Sequence, residues 1–250
     1  FMLQQTPVNR VLPIWVEWME RWPTPKDLAD AKKSELLKAW GRLGYPRRAL
    51  RLHESATIIA KYFNNQVPQT LEELRKLPGV GEYTAAAIMA FAHKKESLVL
   101  DVNIRRLFSR VLDGQEFPPL HITNTERQTR TELIPKQAHI WAAATMELGA
   151  LICTAKNPQC GQCPLADQCI WRSLDYPLSD QPKRTQSWHG TDRQCRGIIV
   201  QALRENPALS KKEIMQLWDV PSQVEKALLT LLEDGLLVEQ KGQRFSLPQR

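Results

Sequence analysis

Four of the five cysteines lie within one short stretch, at Cys153, Cys160, Cys163 and Cys169, with the spacing C-x6-C-x2-C-x5-C. We expect no signal peptide at the start of the chain, so this crowding argues against a disulfide framework. Structural zinc commonly uses two separate C-x2-C pairs, whereas one compact loop with a single pair suits a [4Fe–4S] cluster better. We therefore predict a [4Fe–4S] cluster at 153–169, with zinc or a coincidental grouping of cysteines as the alternatives, and an ordinary thiol at Cys195.

A second candidate site is the segment Leu77–Gly81, in which Gly79 and Gly81 bracket Val80. Glycine tolerates a positive φ and lets another backbone approach closely. A helix is expected to begin near Glu82, so its free amide groups would point back at this turn and could hold a phosphate. The alternative is a tight corner between two helices without any ligand.

The composition is that of a folded protein that can bind a polyanion. Of 250 residues, 42% are hydrophobic and 24% are charged, which excludes a wholly disordered chain, a collagen-like repeat and a coiled coil. Lys and Arg number 34 against 27 Asp and Glu, and this net charge of +7 permits a nucleic-acid partner without requiring one. No apolar stretch is long enough for a membrane-spanning helix, so we expect a cytoplasmic protein without a membrane partner.

Helical patterns dominate the sequence up to residue 152. Apolar residues recur at helical spacing in several runs, the longest over 46–63, 83–92, 102–112 and 138–152. Thr70 and Glu73 form a T-x-x-E capping box ahead of a short helix that ends near Leu77. Strand signals are almost absent, so we predict a mainly α domain.

The last part of the chain has a different pattern. Residues 174–192 are polar and carry Pro177 and Pro182, as is typical of a linker. Helices are then expected to begin near 192, 210 and 221, followed by a β-hairpin around the turn at Gly242. Three helices and a hairpin predict a winged-helix-like domain over 193–250. Packing or protein contact and DNA contact are equally open as its role.

These features together carry a family resemblance. The chain resembles the helix-hairpin-helix DNA glycosylases that carry an iron–sulfur cluster and, within them, the adenine glycosylases of the MutY type. The resemblance covers about residues 1–172, and it rests on Met2-Leu3-Gln4-Gln5-Thr6, Leu43-Gly44-Tyr45, Leu77-Pro78-Gly79-Val80-Gly81, Asp101-Val102-Asn103, Glu147-Leu148-Gly149-Ala150 and the four cysteines. It implies a helical glycosylase domain over 1–173, with the hairpin unit at 71–93 and the cluster loop at 153–169.

The resemblance also implies the reaction, which is hydrolysis of the N-glycosidic bond of adenine mispaired with 8-oxoguanine or guanine during base-excision repair. Asp101 matches the carboxylate that stabilises the oxocarbenium-like sugar, and Asn103 would position Asp101 or that sugar. Relatives that also cleave the strand carry a lysine where this chain has Tyr83, and a phenol cannot form the Schiff base. We therefore predict a monofunctional glycosylase in which Tyr83 orients the reacting groups. The alternatives are a plain N-cap for Asp101 and a core tyrosine at 83.

The proton donor of the family is a glutamate two residues before the Met of the Met-Leu-Gln-Gln-Thr motif, which falls immediately before Phe1. A chain that begins with Phe is expected to be truncated, and the chain as printed is expected to excise adenine slowly. The alternative is a protein that binds DNA and has lost catalysis.

The remaining implied contacts are with double-stranded DNA that contains adenine opposite 8-oxoguanine or guanine. The duplex-probing residues of the family match Gln4, Gln5 and Tyr45, and the hairpin matches Gly79, Val80 and Gly81. Arg48 with its neighbours Arg47 and Arg51 suits phosphate contact, and a solvated basic face is the alternative.

Two departures from the family pattern leave the target base open. Ala142 and Ala143 stand where relatives often carry Asn with Gln or Glu, and no Nudix-like domain is recognisable at the C-terminus. A thymine or uracil mismatch glycosylase is the rival enzyme. We expect the protein to act as a monomer.

Overall fold

The computed structural model describes residues 1–180 and 188–249, and helices account for most of its regular structure. The predicted mainly α class, with a small winged-helix-like part at the end, is confirmed. None of the helices in these two ranges is long and apolar enough to cross a membrane.

The described chain forms two compact units. The first contains residues 1–68, 76–79 and the described part of 185–250, and the second contains 69–75 and the described part of 80–184. Of the predicted linker 174–192, residues 181–187 lie outside the described residues. The division into 1–173, 174–192 and 193–250 stays a prediction, and the units show which parts of the chain pack together.

In the first unit, four N-terminal helices surround a tryptophan-rich core. These helices are α1 (Val8–Arg21), α2 (Pro25–Asp30), α3 (Lys33–Trp40) and α4 (Arg47–Tyr62). The Trp18 and Trp40 rings meet edge to face with centroids 5.6 Å apart, and Leu36, Leu37 and Trp40 are fully buried. Burial of this much apolar surface is the main force that holds the helices together.

The C-terminal residues of the same unit form a winged-helix module, defined here as residues 192–246. Its order is α11 (Asp192–Glu205), β1 (Leu209–Ser210), α12 (Lys211–Met215), α13 (Pro221–Glu233), β2 (Val238–Gln240) and β3 (Arg244–Ser246). The three strands form an antiparallel sheet in the order β1-β3-β2, with Leu209 and Glu239 both opposite Phe245. A capping box begins α12, because the Ser210 hydroxyl accepts from the Glu213 backbone N–H and the Glu213 carboxylate accepts from the Ser210 backbone N–H.

The module packs on the N-terminal helices and shares their core cluster. Arg204 Nε donates to the Leu37 carbonyl at 2.8 Å, and burial lowers the pKa of Arg204 to about 10. Cys195 is fully buried in this cluster, in agreement with an ordinary core thiol. The exposed positions of α13 include Glu225, Lys226 and Glu233, so this helix does not present a basic face. The structure therefore favours packing over DNA contact as the role of α13.

The second unit is built around α7 (Val102–Asp113). The other helices of this unit are α5 (Leu71–Arg75), α6 (Glu82–Ala87), α8 (Asn124–Thr131), α9 (Ala138–Leu151) and α10 (Ile170–Ser173). One face of α7 is apolar, and Phe108 on that face stacks on Trp141 of α9 with ring centroids 5.3 Å apart. This packing fixes the start of α7, where the predicted carboxylate lies.

Candidate active site, hairpin and cluster loop

Asp101 is the N-cap of α7, and its two carboxylate oxygens have different partners. Oδ1 accepts a hydrogen bond from the Ile104 backbone N–H at 2.6 Å, and Oδ2 accepts one from Asn103 Nδ2 at 3.0 Å. The side chain is partly exposed, while Val99 and Leu100 just before it are buried. The observed capping role is compatible with the predicted chemical role, because capping uses one oxygen and Asn103 holds the other.

Asn103 is fixed in turn by Arg106, one helical turn further along α7. Arg106 Nη2 donates to Asn103 Oδ1 at 3.0 Å, and Arg106 Nε donates to the Cys153 carbonyl at 2.8 Å. Burial lowers the pKa of Arg106, the nearby charge of Arg110 lowers it further, and Cys153 and Asp101 oppose the shift. The Asp101 carboxylate is thus joined through side chains to the start of the cysteine loop.

Sequence reasoning did not identify Arg106. The signal that marks it is its spacing of three residues from Asn103 on the same helix, which puts both side chains on one face.

Gly149 explains why α7 and α9 can approach at this point. A Cβ on Gly149 would lie 2.6 Å from the Asn103 carbonyl oxygen and 2.8 Å from its carbon, which is closer than real Cβ atoms come. The Glu147-Leu148-Gly149-Ala150 motif therefore provides the space that lets Arg106 reach the Gly149 carbonyl oxygen, to which it also donates.

Tyr83 lies in the first turn of α6 and is 41% exposed. Partial burial raises the pKa of Tyr83, and the negative charge of Asp101 raises it further. The phenol is therefore a neutral hydrogen-bond donor at ordinary pH, within electrostatic range of Asp101. With this exposure Tyr83 is not a core residue.

The predicted helix-hairpin-helix consists of α5, the Leu77–Gly81 segment and α6. The Thr70 hydroxyl donates to the Glu73 carboxylate at 2.7 Å, which confirms the predicted polar pair ahead of α5. Gly79 has φ of 79°, a left-handed conformation that favours glycine. Gly81 is the N-cap of α6, and no other part of the described protein comes within 4 Å of a Cβ placed there. Val80 is buried, so its side chain is not a surface contact.

Of the predicted probing residues, Gln5 is exposed and Tyr45 is 39% exposed. Both have left-handed backbones, with φ of 58° at Gln5 and 46° at Tyr45, which is costly for residues other than glycine. Gln4 Nε2 donates to the Gly79 carbonyl at 3.2 Å, so the N-terminal segment is attached to the hairpin.

Arg48 is buried, unlike the exposed Arg47 and Arg51, and this differs from the predicted phosphate contact. Its guanidinium donates hydrogen bonds to the Thr6 hydroxyl at 2.9 Å and to the Gly44 carbonyl at 3.1 Å. It also donates to four other backbone carbonyls of the same unit, those of Phe1, Met2, Gln4 and Leu43. These contacts occupy the donors that a phosphate would need. The geometry therefore favours a role for Arg48 in holding the N-terminal segment against the 43–48 turn.

The four clustered cysteines surround one recess, which Leu107 and other apolar residues also line. None of these four cysteines forms a disulfide within the described residues. Burial raises the pKa of Cys163, and the neighbouring sulfurs of Cys153, Cys169 and Cys160 add to the shift, so the sulfurs are within electrostatic range of one another. Within 1–180 and 188–249, no three His, Cys, Asp or Glu side chains converge as closely as a single metal ion requires. Four cysteines around one recess are the ligand type and number that an iron–sulfur cluster uses.

Comparison with known proteins agrees with this geometry. The model of the HhH-GPD superfamily of base excision DNA repair proteins matches residues 1–134, and the iron-sulfur binding domain of endonuclease III matches 153–169. The protein is therefore an iron–sulfur protein, as predicted, and the matched range 153–169 contains all four clustered cysteines.

Similar proteins of known name include the adenine DNA glycosylase of Mycobacterium tuberculosis strain CDC 1551 / Oshkosh, which is 45% identical over 99% of this chain and 83% of its own length. The adenine DNA glycosylase of Mycolicibacterium smegmatis is 43% identical over 99% of this chain and 85% of its own length. Among solved structures, a thermostable thymine-DNA glycosylase superposes with a TM-score of 0.64 at 26% identity, covering 69% of this chain and 81% of the other. The chain therefore belongs to the HhH-GPD superfamily of base excision DNA repair proteins.

Proposed function

We propose that the protein removes adenine from DNA by hydrolysing its N-glycosidic bond, without cleaving the strand. The observation that carries this proposal is the Asp101 carboxylate, which Asn103 holds at the start of α7, with the neutral Tyr83 phenol in electrostatic range. The names of the two mycobacterial relatives supply the target base.

Asp101 would serve the sugar half of the reaction. Departure of the base leaves an oxocarbenium-like sugar, and a fixed carboxylate stabilises that charge or traps the sugar covalently. Because Asn103 and the Ile104 amide already orient the carboxylate, little reorganisation is needed as the charge develops. The target base must first leave the helix stack, and the partial exposure of Tyr83 and Asp101 is compatible with entry of a flipped base.

DNA would be held through its backbone at the hairpin. The open space at Gly81, the N-cap of α6, allows a phosphate to approach the backbone at the start of this helix without reading the sequence. Gln4, Gln5 and Tyr45 would contact the base pairs around the lesion, with Gly79 and Val80 contributing backbone. The proposed substrate is a duplex with adenine opposite 8-oxoguanine or guanine, bound by a monomer in the cytoplasm, at the nucleoid in a bacterium.

Thymine removal from a mismatch is the rival activity, and the solved thymine-DNA glycosylase is the observation that keeps it open. The relatives named adenine DNA glycosylase cover 99% of the chain at 43–45% identity, whereas that structure covers 69% at 26%. The higher identity over a longer stretch favours adenine.

The decisive experiment identifies the released base. Duplexes with A·8-oxoguanine, A·G and T·G pairs are incubated with excess protein at fixed salt, and free bases are measured chromatographically over time. We expect adenine from the first two duplexes and no thymine from the third, with Asp101→Asn as the matched inactive control. Release of thymine with adenine retained would establish the rival.

A further inference from the structure

The winged-helix module contacts the turn that carries Tyr45, which we call the probe turn (residues 43–48). Arg193, in the first turn of α11, stacks on the Tyr45 ring with 4.4 Å between its guanidinium carbon and the ring centroid. The same guanidinium lies 5.1 Å from the Trp188 ring centroid. A guanidinium this close to a tyrosine face is attracted by the ring quadrupole.

A second contact joins the module to Arg47, two residues after Tyr45 in the probe turn. Arg47 Nη1 lies 3.0 Å from Asp234 Oδ1, and the other oxygen of Asp234 accepts a hydrogen bond from Arg196 Nη2 at 2.5 Å. The Asp234 side chain is only 20% exposed, and it follows directly after α13. Two separate elements of the module, α11 and the end of α13, therefore contact the probe turn.

Tyr45 needs such support because its backbone is in the left-handed region, with φ of 46°. A non-glycine residue keeps this conformation only where its surroundings specify it. Arg48 supplies part of that environment, with its guanidinium carbon 5.5 Å from the Tyr45 ring centroid. Arg193 supplies a closer cation, and it comes from the winged-helix module rather than from the helices that follow the turn.

We propose that the winged-helix module is a positioning element for the probe turn, and that Arg193 is the positioning residue that fixes the Tyr45 ring for contact with mispaired DNA. The module would then affect discrimination between duplexes without reading bases itself, in agreement with the absence of a basic face on α13. This inference rests on the proposed function, in which Tyr45 probes the duplex.

The experiment measures dissociation constants for two duplexes of equal length, one with an A·8-oxoguanine pair and one fully matched, at several salt concentrations. The proteins are the wild type, Arg193→Ala, Tyr45→Leu, the double variant and Lys212→Ala. Lys212 is an exposed cation of the same module, so its removal changes the charge as Arg193→Ala does. Thermal unfolding of each variant shows that it is folded.

We expect Arg193→Ala to reduce the preference for the mispaired duplex by roughly 3- to 10-fold, the range of a cation–π contact. Lys212→Ala should leave the preference unchanged. Because Arg193 acts through the Tyr45 ring, Arg193→Ala should cause no further loss of this preference in the Tyr45→Leu protein. The effects of the two substitutions on the preference should therefore be strongly non-additive in a double-mutant cycle.

Two results would overturn the inference while leaving the function intact. One is equal weakening of both duplexes by Arg193→Ala with a salt slope lower by about one, which marks a direct phosphate contact. The other is a double variant in which the effects of Arg193→Ala and Tyr45→Leu on the preference add. A wild-type protein with no preference between the duplexes would instead overturn the proposed function, and the inference with it.

Discussion

Asn103 Nδ2 lies 3.0 Å from Asp101 Oδ2, so the residue two positions into α7 holds the carboxylate that caps the same helix. The arrangement separates two roles of Asp101 that sequence reasoning left as alternatives. Capping depends on the side-chain oxygen that accepts a hydrogen bond from the Ile104 N–H, and an asparagine side chain also has such an oxygen. Transition-state stabilisation depends instead on the negative charge of the carboxylate.

Asp101→Asn should therefore reduce adenine release by at least about 10²-fold with little loss of stability, since Asn and Asp cap helices about equally well. Single-turnover base release and thermal unfolding of the same preparations test this. Retained activity would show that the charge of Asp101 is not needed for the reaction, and a large drop in melting temperature would show that Asn does not replace Asp as the cap.

Asn103→Ala should slow the reaction by about tenfold or more without removing any charge, because the carboxylate loses its orienting bond. Asn124→Ala, at an exposed first-turn asparagine of α8, is the matched control and should leave the rate unchanged. Equal rates for Asn103→Ala and the wild type would remove Asn103 from the site.

The cluster loop should contain about four irons per chain, and the loss of one of its cysteine ligands should lower iron retention. Metal analysis and visible absorption of Cys163→Ala check this, and Cys195→Ala is the control because that thiol is buried in the other unit. One zinc and no iron in the wild-type protein would contradict the assignment.

Tyr83 should make the enzyme unable to form a Schiff base, so borohydride should trap no strong covalent complex with substrate DNA. Tyr83→Lys introduces an amine at the same position and should produce some trapped complex. Efficient trapping by the wild-type protein would mean that another lysine attacks the sugar.

Alkaline stability should also depend on Tyr83. Its pKa is raised in the folded state by burial and then by Asp101, so the stabilising effect of the neutral phenol is complete below the unfolded pKa of about 10. The effect is lost as the pH rises through the folded value. Between pH 9 and about 11, the free energy of unfolding measured with denaturant should decline less for Tyr83→Phe than for the wild type.

Local patterns in the sequence were sufficient for several parts of the site. The four cysteines, the Ser210–Glu213 capping box and the N-cap at Asp101 depend on residues close in sequence. The resemblance to the family supplied the pairing of Asp101 with Tyr83.

Contacts between distant segments could not be predicted in this way. Whether Arg48 faces solvent or carbonyl oxygens depends on where residues 1–6 and 43–44 meet, and the sequence pattern of α4 does not contain that information. The same limit applies to the bond from Arg106 to the Cys153 carbonyl and to the stacking of Arg193 on Tyr45. The polar composition of 174–192 predicts a linker before a C-terminal domain over 193–250, but it contains no information on the core that residues of this domain share with α1 to α4.

Arg48 provides the last prediction, which distinguishes an organising arginine from a phosphate contact. Its planar guanidinium donates to several oxygens of the N-terminal segment and the probe turn, and a lysine ammonium cannot reproduce that geometry. Arg48→Lys keeps the charge but should leave buried carbonyls without donors, at a cost of about 2–3 kcal/mol in the free energy of unfolding. For a chain of this size the melting temperature should fall by about 4–12 °C.

Lys61→Ala, at an exposed position of the same helix, should leave the melting temperature unchanged. If Arg48 were a phosphate contact, Arg48→Lys would retain most of the DNA affinity and the full stability, because lysine also binds phosphate. We expect the opposite pattern, in which stability falls and the preference for mispaired DNA decreases as Gln4, Gln5 and Tyr45 lose their common support. Thermal unfolding in the absence of DNA isolates the first effect, and binding titrations below the melting temperature of the variant isolate the second.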